Sequence, residues 1–187
     1  MEAWVKLDVA AEHVILEWKS SSYNGLRIVV KSDGMLSVRQ TDNAGTTILN
    51  SVTATNKPLA VGPWTHVCFQ FNSATKAIEL FVGGARCTVL TTYNAATSST
   101  FFANLRYTNM VVGNDSQNGA TTLQGSIRDL RVTADKQYDG NFTPLTALSP
   151  PAGPVAFWLG VFATNRAGAE SLVRQGSPVE STLSYAL

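Results

Sequence analysis

Residues 64–71 read Trp64-Thr65-His66-Val67-Cys68-Phe69-Gln70-Phe71. In an extended chain Val67, Phe69 and Phe71 fall on one side, and Trp64, His66, Cys68 and Gln70 on the other. Period-two alternation over this length predicts a β-strand with one apolar face. Asn72-Ser73-Ala74-Thr75 then supplies turn chemistry, and Ile78, Leu80 and Val82 alternate again behind it. Gly83-Gly84 makes a tight turn into a third segment from Arg86 to Thr91, so a three-strand meander is expected.

The same grammar extends towards the N-terminus. Ala3, Val5 and Leu7 alternate with Glu2, Trp4 and Lys6, and a second strand is expected from His13 to Lys19. Asn24-Gly25 reads as a hairpin turn, because both residues accept positive φ at little cost. Leu26, Ile28 and Val30 follow, then the Ser32-Asp33-Gly34 turn, Leu36 to Thr41, the Asp42-Asn43-Ala44-Gly45 turn, and Thr46 to Thr53. Lys57-Pro58 and Gly62-Pro63 punctuate the loop that leads back to Trp64.

Towards the C-terminus, residues 93–104 are rich in Ala, Ser and Thr and read as a surface loop with room for a short helical turn. Strands are expected from Tyr107 to Gly113 and from Gly125 to Thr133. Within the second, Ile127 and Leu130 are three apart, which breaks the alternation and predicts a β-bulge. Pro150-Pro151 and Gly153-Pro154 form a stiff connector to an apolar strand over residues 155–162. The expected organisation is one domain over 1–162 and an arm or tail over 163–187. Short strands with frequent turns and no helical stripe predict an all-β protein, a two-sheet antiparallel jelly-roll sandwich with a C-terminal extension.

Composition narrows the partners. Charged residues make up 14% of the chain and the net charge is +1, with no run of Lys or Arg, so neither nucleic acid nor an anionic membrane is an expected partner. No stretch approaches the ~20 apolar residues of a membrane span. Met1 opens directly into strand-like sequence, without the basic and apolar regions of a secretory signal. Cys68 and Cys87 should have a strand between them, which puts them roughly 10 Å apart, beyond the ~7 Å reach of a disulfide. Two buried free thiols are therefore expected.

Five short motifs occur in a fixed order: Glu2-Ala3-Trp4-Val5-Lys6-Leu7, Trp64-Thr65-His66-Val67, Ile78 to Gly84, Gly125-Ser126-Ile127-Arg128-Asp129-Leu130-Arg131-Val132, and Tyr138-Asp139-Gly140-Asn141-Phe142-Thr143-Pro144. Over roughly residues 2–144 this order resembles the concanavalin A-like superfamily, in its laminin-G and pentraxin-like branch. The closing motif looks most like laminin-G-like modules of bacteriophage structural proteins. The resemblance implies a jelly roll and an adhesive or structural role. Relatives usually carry a strand before the Glu-Ala-Trp segment, and here residues 155–162, or the tail, are expected to take that edge position in the same or a neighbouring subunit.

Superfamily members that cleave glucans carry Glu-x-Asp-x-x-Glu on one strand, giving the acid and the nucleophile. That cluster is missing from this sequence. Glu12 and Glu17 are five apart, so a regular strand would turn them to opposite faces as solvated strand-end charges. His66 and Cys68 share a face by alternation, but no oxyanion site or second base accompanies them, and His13 reads as exposed. Asn114-Asp115 lies where some relatives hold calcium. Calcium takes ~6–8 oxygens, and only Asp115 and Asp129 are obvious carboxylates, so a turn is expected, with no metal and no other cofactor. Trp4, Trp18, Trp64 and Trp158 are expected to pack rather than to form a sugar platform.

The resulting expectation is a non-enzymatic bacteriophage virion protein, decorating the capsid or associated with the tail. It would be located in the virion and assemble as a homo-oligomer through contacts with virion proteins. The alternative is a carbohydrate-binding adhesion module, for which Tyr93, Asn94, Tyr107 and Asn114 are the candidate ligand-surface residues.

Overall fold

A computed structural model describes residues 1–20, 23–41, 48–72, 77–93, 109–113, 122–133, 136–145, 155–159 and 163–164. Thirteen strands and no helix occur among them: β1 Glu2–Leu7, β2 His13–Ser20, β3 Tyr23–Val30, β4 Leu36–Thr41, β5 Ile48–Ala54, β6 Thr65–Asn72, β7 Ala77–Val82, β8 Ala85–Arg86, β9 Val89–Tyr93, β10 Asn109–Val112, β11 Gly125–Thr133, β12 Val155–Leu159 and β13 Ala163–Thr164. They form two antiparallel sheets. The first runs β12-β11-β1-β6-β7-β8, with β13 also on β11, and the second runs β10-β2-β3-β4-β5-β9.

The core lies between them. Ala3, Val5, Leu7, Val67, Phe69, Ile78, Leu80, Val82, Ile127 and Leu130 of the first sheet meet Ile15, Leu16, Leu26, Ile28, Val30, Leu36, Val38, Val52 and Ala54 of the second. These are the alternating apolar positions, packed as two inner faces of a sandwich. The bulge expected from Ile127 and Leu130 is present. Trp4 is opposite Arg128 but Glu2 is opposite Arg131, so β11 spends one extra residue there. Asp129 adopts φ 52° at this point, a left-handed conformation that Asp tolerates better than most residues. The extra residue lets Ile127 and Leu130 both face inward.

Four expectations are corrected. Asn24-Gly25 is not a turn: Ser20 pairs with Tyr23 and Gly25 pairs with Thr41, so both residues lie within the β3 ladder. The meander is cut short, because after two residues of β8 the chain changes sheets. Cys87 N–H still donates to Leu80 O on the first sheet, whereas Thr55 N–H donates to Thr88 O on the second, at 2.8 Å each. His13 is fully buried rather than exposed. Gln124 N–H donates to its Nδ1 (3.2 Å), so Nε2 carries the proton and donates to Val9 O (3.0 Å).

Glu12 and Glu17 are the fourth. Val14 is opposite Val29 and Leu16 opposite Ile28, so Ile15 is an inserted residue that reverses the alternation of β2. Both glutamates therefore lie on the outer face. Glu17, 1% exposed, accepts from Arg27 Nε at 2.6 Å, and Glu12 takes both terminal nitrogens of Arg39 at 2.7 Å. Arg39 and Glu12 stand on either side of the Val14–Val29–Ser37 row, so their ion pair lies across it.

The edge strand expected from the C-terminal segment forms within the same chain: β12 pairs with β11 from Leu130 to Thr133, and β13 pairs with Ser126 and Ile127. The Asp42–Gly45 turn, residues 94–104, the Pro150–Pro154 connector and the tail beyond 164 lie outside the described residues. Both cysteines are buried and free, with β7 between β6 and β8.

The outer face of the first sheet carries Cys68 and Phe81, which need cover. Residues 136–145 supply it as a strap. Gln70 Oε1 accepts from the N–H groups of Gln137 and Tyr138 (3.2 Å each), and its Nε2 donates to Tyr138 O (2.5 Å) and Glu79 (2.6 Å). Phe142 N–H donates to Gly84 O and Arg86 N–H to Asn141 Oδ1, both at 2.8 Å. Trp4 Nε1–H donates to Leu145 O at 3.0 Å. The Tyr138 ring stacks on Phe142 at 3.5 Å, and Phe142 leans on Phe81 and His66. Gly84 has φ +77°, and a Cβ there would collide with Phe142 O and the Pro144 ring. The Gly-Gly turn is thus a seat for the strap.

Under the strap sits Glu2, 2% exposed. It accepts from Tyr138 Oη (2.7 Å), His66 Nε2 (3.1 Å) and Arg131 Nε (2.7 Å), with a further bond from an Arg131 terminal nitrogen. Burial opposes charging this carboxyl, but the hydrogen bonds from His66, Tyr138 and Arg131 outweigh it and hold the pKa at about 2.

Two predictions follow from this face. Gly84→Ala should cost about 2 kcal/mol or more, combining the left-handed penalty with displacement of the strap. Gly83→Ala, at φ +60° with open space around it, should pay only the first part. Urea denaturation compares the two, and equal losses would mean that the strap is not seated on Gly84. Because the Glu2 pKa is depressed, its contribution is present above its unfolded value of 4.5 and is lost as pH falls towards 2. The loss should be about 3 kcal/mol. Glu2→Gln should be less stable at neutral pH and flatten that acid limb; an unchanged slope in the variant would refute the assignment.

Candidate functional site

Of the four candidate ligand-surface residues, Tyr93 is placed as the last residue of edge strand β9, opposite Asn50. Asn94, Tyr107 and Asn114 lie outside the described residues, as does Asp115. Asp129, the other carboxylate considered for calcium, sits at the β11 bulge and is 8% exposed.

The His66–Cys68 pair does not form a nucleophilic couple. His66 Nε2–H donates a hydrogen bond to Glu2, which as a carboxylate can only accept, and its Nδ1 is buried without a partner. Burial pushes the Cys68 thiol up to about 12, so it stays protonated. Tyr138 is held protonated as well, by burial first and then by the neighbouring Glu2 carboxylate. His66 and Tyr138 are both committed to Glu2 beneath the strap.

A different group of residues stands beside the strap on the same face. On β1, the outward residues Trp4 and Lys6 are opposite Arg128 and Ser126 of β11. On the other side, Trp4 is opposite His66 and Val5 opposite Thr65, so Trp64 enters the sheet next to Lys6. Arg128 reaches across β1, and its guanidinium carbon lies 5.1 Å from the Trp4 ring centre and 5.0 Å from that of Trp64. Cation–π attraction holds the fork between the two indoles. Trp4, Trp64, Arg128, Lys6 and Ser126 are all partly exposed. Trp18, by contrast, packs against the core from the second sheet. Trp158 is opposite Arg131 on β12.

In the sequence Trp4 and Trp64 are expected to pack rather than to form a platform, and neither the arginine nor the lysine stands out as a site residue. The available signal was parity. Trp4, Lys6 and Trp64 are outward by alternation, and the bulge after Arg128 leaves that residue facing the same way.

Among the described residues, no group of three or more His, Cys, Asp or Glu is gathered to hold a metal ion, and no helix is long and apolar enough to cross a membrane.

Comparison with known proteins bears on the fold. A putative carbohydrate binding protein from Bacteroides ovatus ATCC 8483 has a TM-score of 0.53 at 17% identity, over 84% of this chain and 43% of its own, so the chain spans less than half of that protein. The CBM40 of the Ruminococcus gnavus IT-sialidase, bound to alpha2,3 sialyllactose, gives 0.47 at 14% identity, over 66% of this chain and 67% of that one. The heptameric SAP-like pentraxin of Limulus polyphemus gives 0.43 at 14% identity, over 68% and 59%. No curated protein matches the sequence. None of these likenesses links the chain to a bacteriophage particle, and the Tyr138–Pro144 motif behind that expectation is a structural strap. A laminin-G family model (Laminin_G_3), described as the concanavalin A-like lectin/glucanases superfamily, matches residues 1–136. With β1 to β11 all inside that match and folded as two antiparallel sheets, the chain belongs to the concanavalin A-like superfamily, in its laminin-G branch.

Proposed function

We propose that the chain is a non-enzymatic carbohydrate-binding module that holds a sugar against Trp4, Trp64 and Arg128. The observation that carries this reading is the partly exposed guanidinium fixed between two indoles on a sheet face. Indole surface suits the C–H faces of a pyranose, and guanidinium N–H groups suit its hydroxyls. Few polar groups held rigidly beside apolar surface are the ordinary makings of a small-ligand site.

Membership of a lectin-containing superfamily supports the reading, and so does the fold shared with the Bacteroides protein. Support for a non-catalytic role comes from the acids and thiol. Glu12 and Glu17 are each engaged by their own arginine, Glu2 is engaged under the strap, and the Cys68 thiol is not ionised. A glycosidase needs two carboxyl groups facing one bond, one of them free to give up a proton. Self-association remains a separate expectation, and light scattering of the purified chain measures it.

A glycan array, run with and without calcium, should return hits for the wild-type chain. Trp64→Ala should weaken the best of them by about tenfold, the scale of one well-placed aromatic contact. An empty array, or a Trp64→Ala protein with native circular dichroism and undiminished binding, would refute the proposal.

A further inference from the structure

We infer that the saccharide is acidic, and that its anionic group is taken by the Arg128 fork with Lys6 alongside. This rests on the carbohydrate-binding reading above and goes further by naming the ligand class.

The ground for it is how the other arginines are used. Arg27 is paired with Glu17 (2.6 Å), Arg39 with Glu12 (2.7 Å), Arg86 with Glu79 (2.7 Å) and Arg131 with Glu2. Among the described arginines, only Arg128 has no carboxylate. Its guanidinium contacts are the two indoles, and its Nε is buried without a hydrogen-bond partner. A guanidinium carries five N–H donors and never gives up its charge. Its terminal nitrogens are open at the surface, and the one N–H that is shielded, at Nε, has no acceptor, which is costly and calls for an explanation. A ligand anion gives this uncompensated charge its counter-ion through the exposed terminal nitrogens.

The two indoles also prepare the fork for that task. Trp4 and Trp64 both hold the guanidinium at about 5 Å, so less rotamer freedom is lost when an anion docks. A fixed planar fork suits two parallel N–H···O bonds to a carboxylate. Lys6 is the next outward residue of β1 after Trp4, is partly exposed and forms no ion pair among the described residues. Two free cations thus flank one aromatic patch. Asp8, the next residue of that parity, is exposed and is bonded to neither of them.

The competing account is that Arg128 only packs the indoles and binds nothing. The test separates the two. The full chain is titrated with matched saccharides in three arms, carboxylate-bearing, sulfate-bearing and neutral, at rising NaCl, and Arg128→Lys, Arg128→Met and Lys6→Met are compared for binding and for thermal stability. We expect either acidic arm to bind at least tenfold more tightly than the neutral one, with affinity falling as salt rises. The favoured arm identifies the anion. Arg128→Met should abolish the preference, Arg128→Lys should retain the salt dependence at about tenfold lower affinity, and Lys6→Met should weaken binding severalfold. If Arg128→Met does not fold, Arg128→Lys and the salt dependence of the wild type decide. Equal affinity for neutral and acidic arms would overturn the inference and leave the carbohydrate reading intact. Binding to no saccharide would overturn both. Undiminished acidic binding by a folded Arg128→Met protein would overturn this site.

Discussion

The Glu2 carboxylate holds together parts of the chain that are far apart in sequence. It sits on the first strand, and its partners are His66 on β6, Arg131 on β11 and Tyr138 on the strap. A buried carboxylate is tolerated only when its lone pairs are filled and its charge is balanced. Here both conditions are met by groups separated from Glu2 by 64 to 136 positions. Strap, sheet order and the burial of Phe81 and Cys68 therefore depend on one another. Loss of any of these partners leaves a charge or a hydroxyl stranded beneath the strap.

This dependence explains what could be read from the sequence and what could not. Single-strand alternation gave the inner faces of β1, β6 and β7 correctly, because one buried face against one outer face imposes period two. Ile127 and Leu130 revealed their bulge because both are strongly apolar. Ile15 concealed its own: in His13-Val14-Ile15-Leu16 three apolar residues run together, so an inserted one leaves no mark. Everything downstream of it on β2 changed face, and Glu17 was misjudged. His13 was misjudged for another reason, since a buried imidazole bonded to two backbone groups has no linear signature. Asn24-Gly25 carried a turn preference that the β3–β4 ladder overrode.

The candidate site was not legible as a site: its aromatics read as packing residues, and its charge left no mark. Trp4 and Trp64 were visible as outward residues of two strands, but their adjacency needs the β1–β6 register. Arg128 joins them only because β1 also pairs with β11. A site assembled from three strands that are neighbours in space and distant in sequence is fixed by topology rather than by any local motif. The strap shows the converse. Its motif was conspicuous in the sequence, yet Tyr138, Asn141 and Phe142 spend their polar and aromatic groups on Glu2, Arg86 and His66.

The central place of β1 also sets an order on how the molecule can be made. β2 to β5 are linked by successive antiparallel pairings, and residues 13–54 can close those contacts over short loops as they emerge. β1 emerges before them but has no neighbour until Thr65–Asn72 appears, and its second neighbour ends at Thr133. Long-range pairings carry the larger closure entropy and form late. The earliest strand of the module is thus among the last to be enclosed. Until then its apolar residues Ala3, Val5 and Leu7 are open to chance pairing, and the charged residues Glu2 before them and Lys6 among them discourage it.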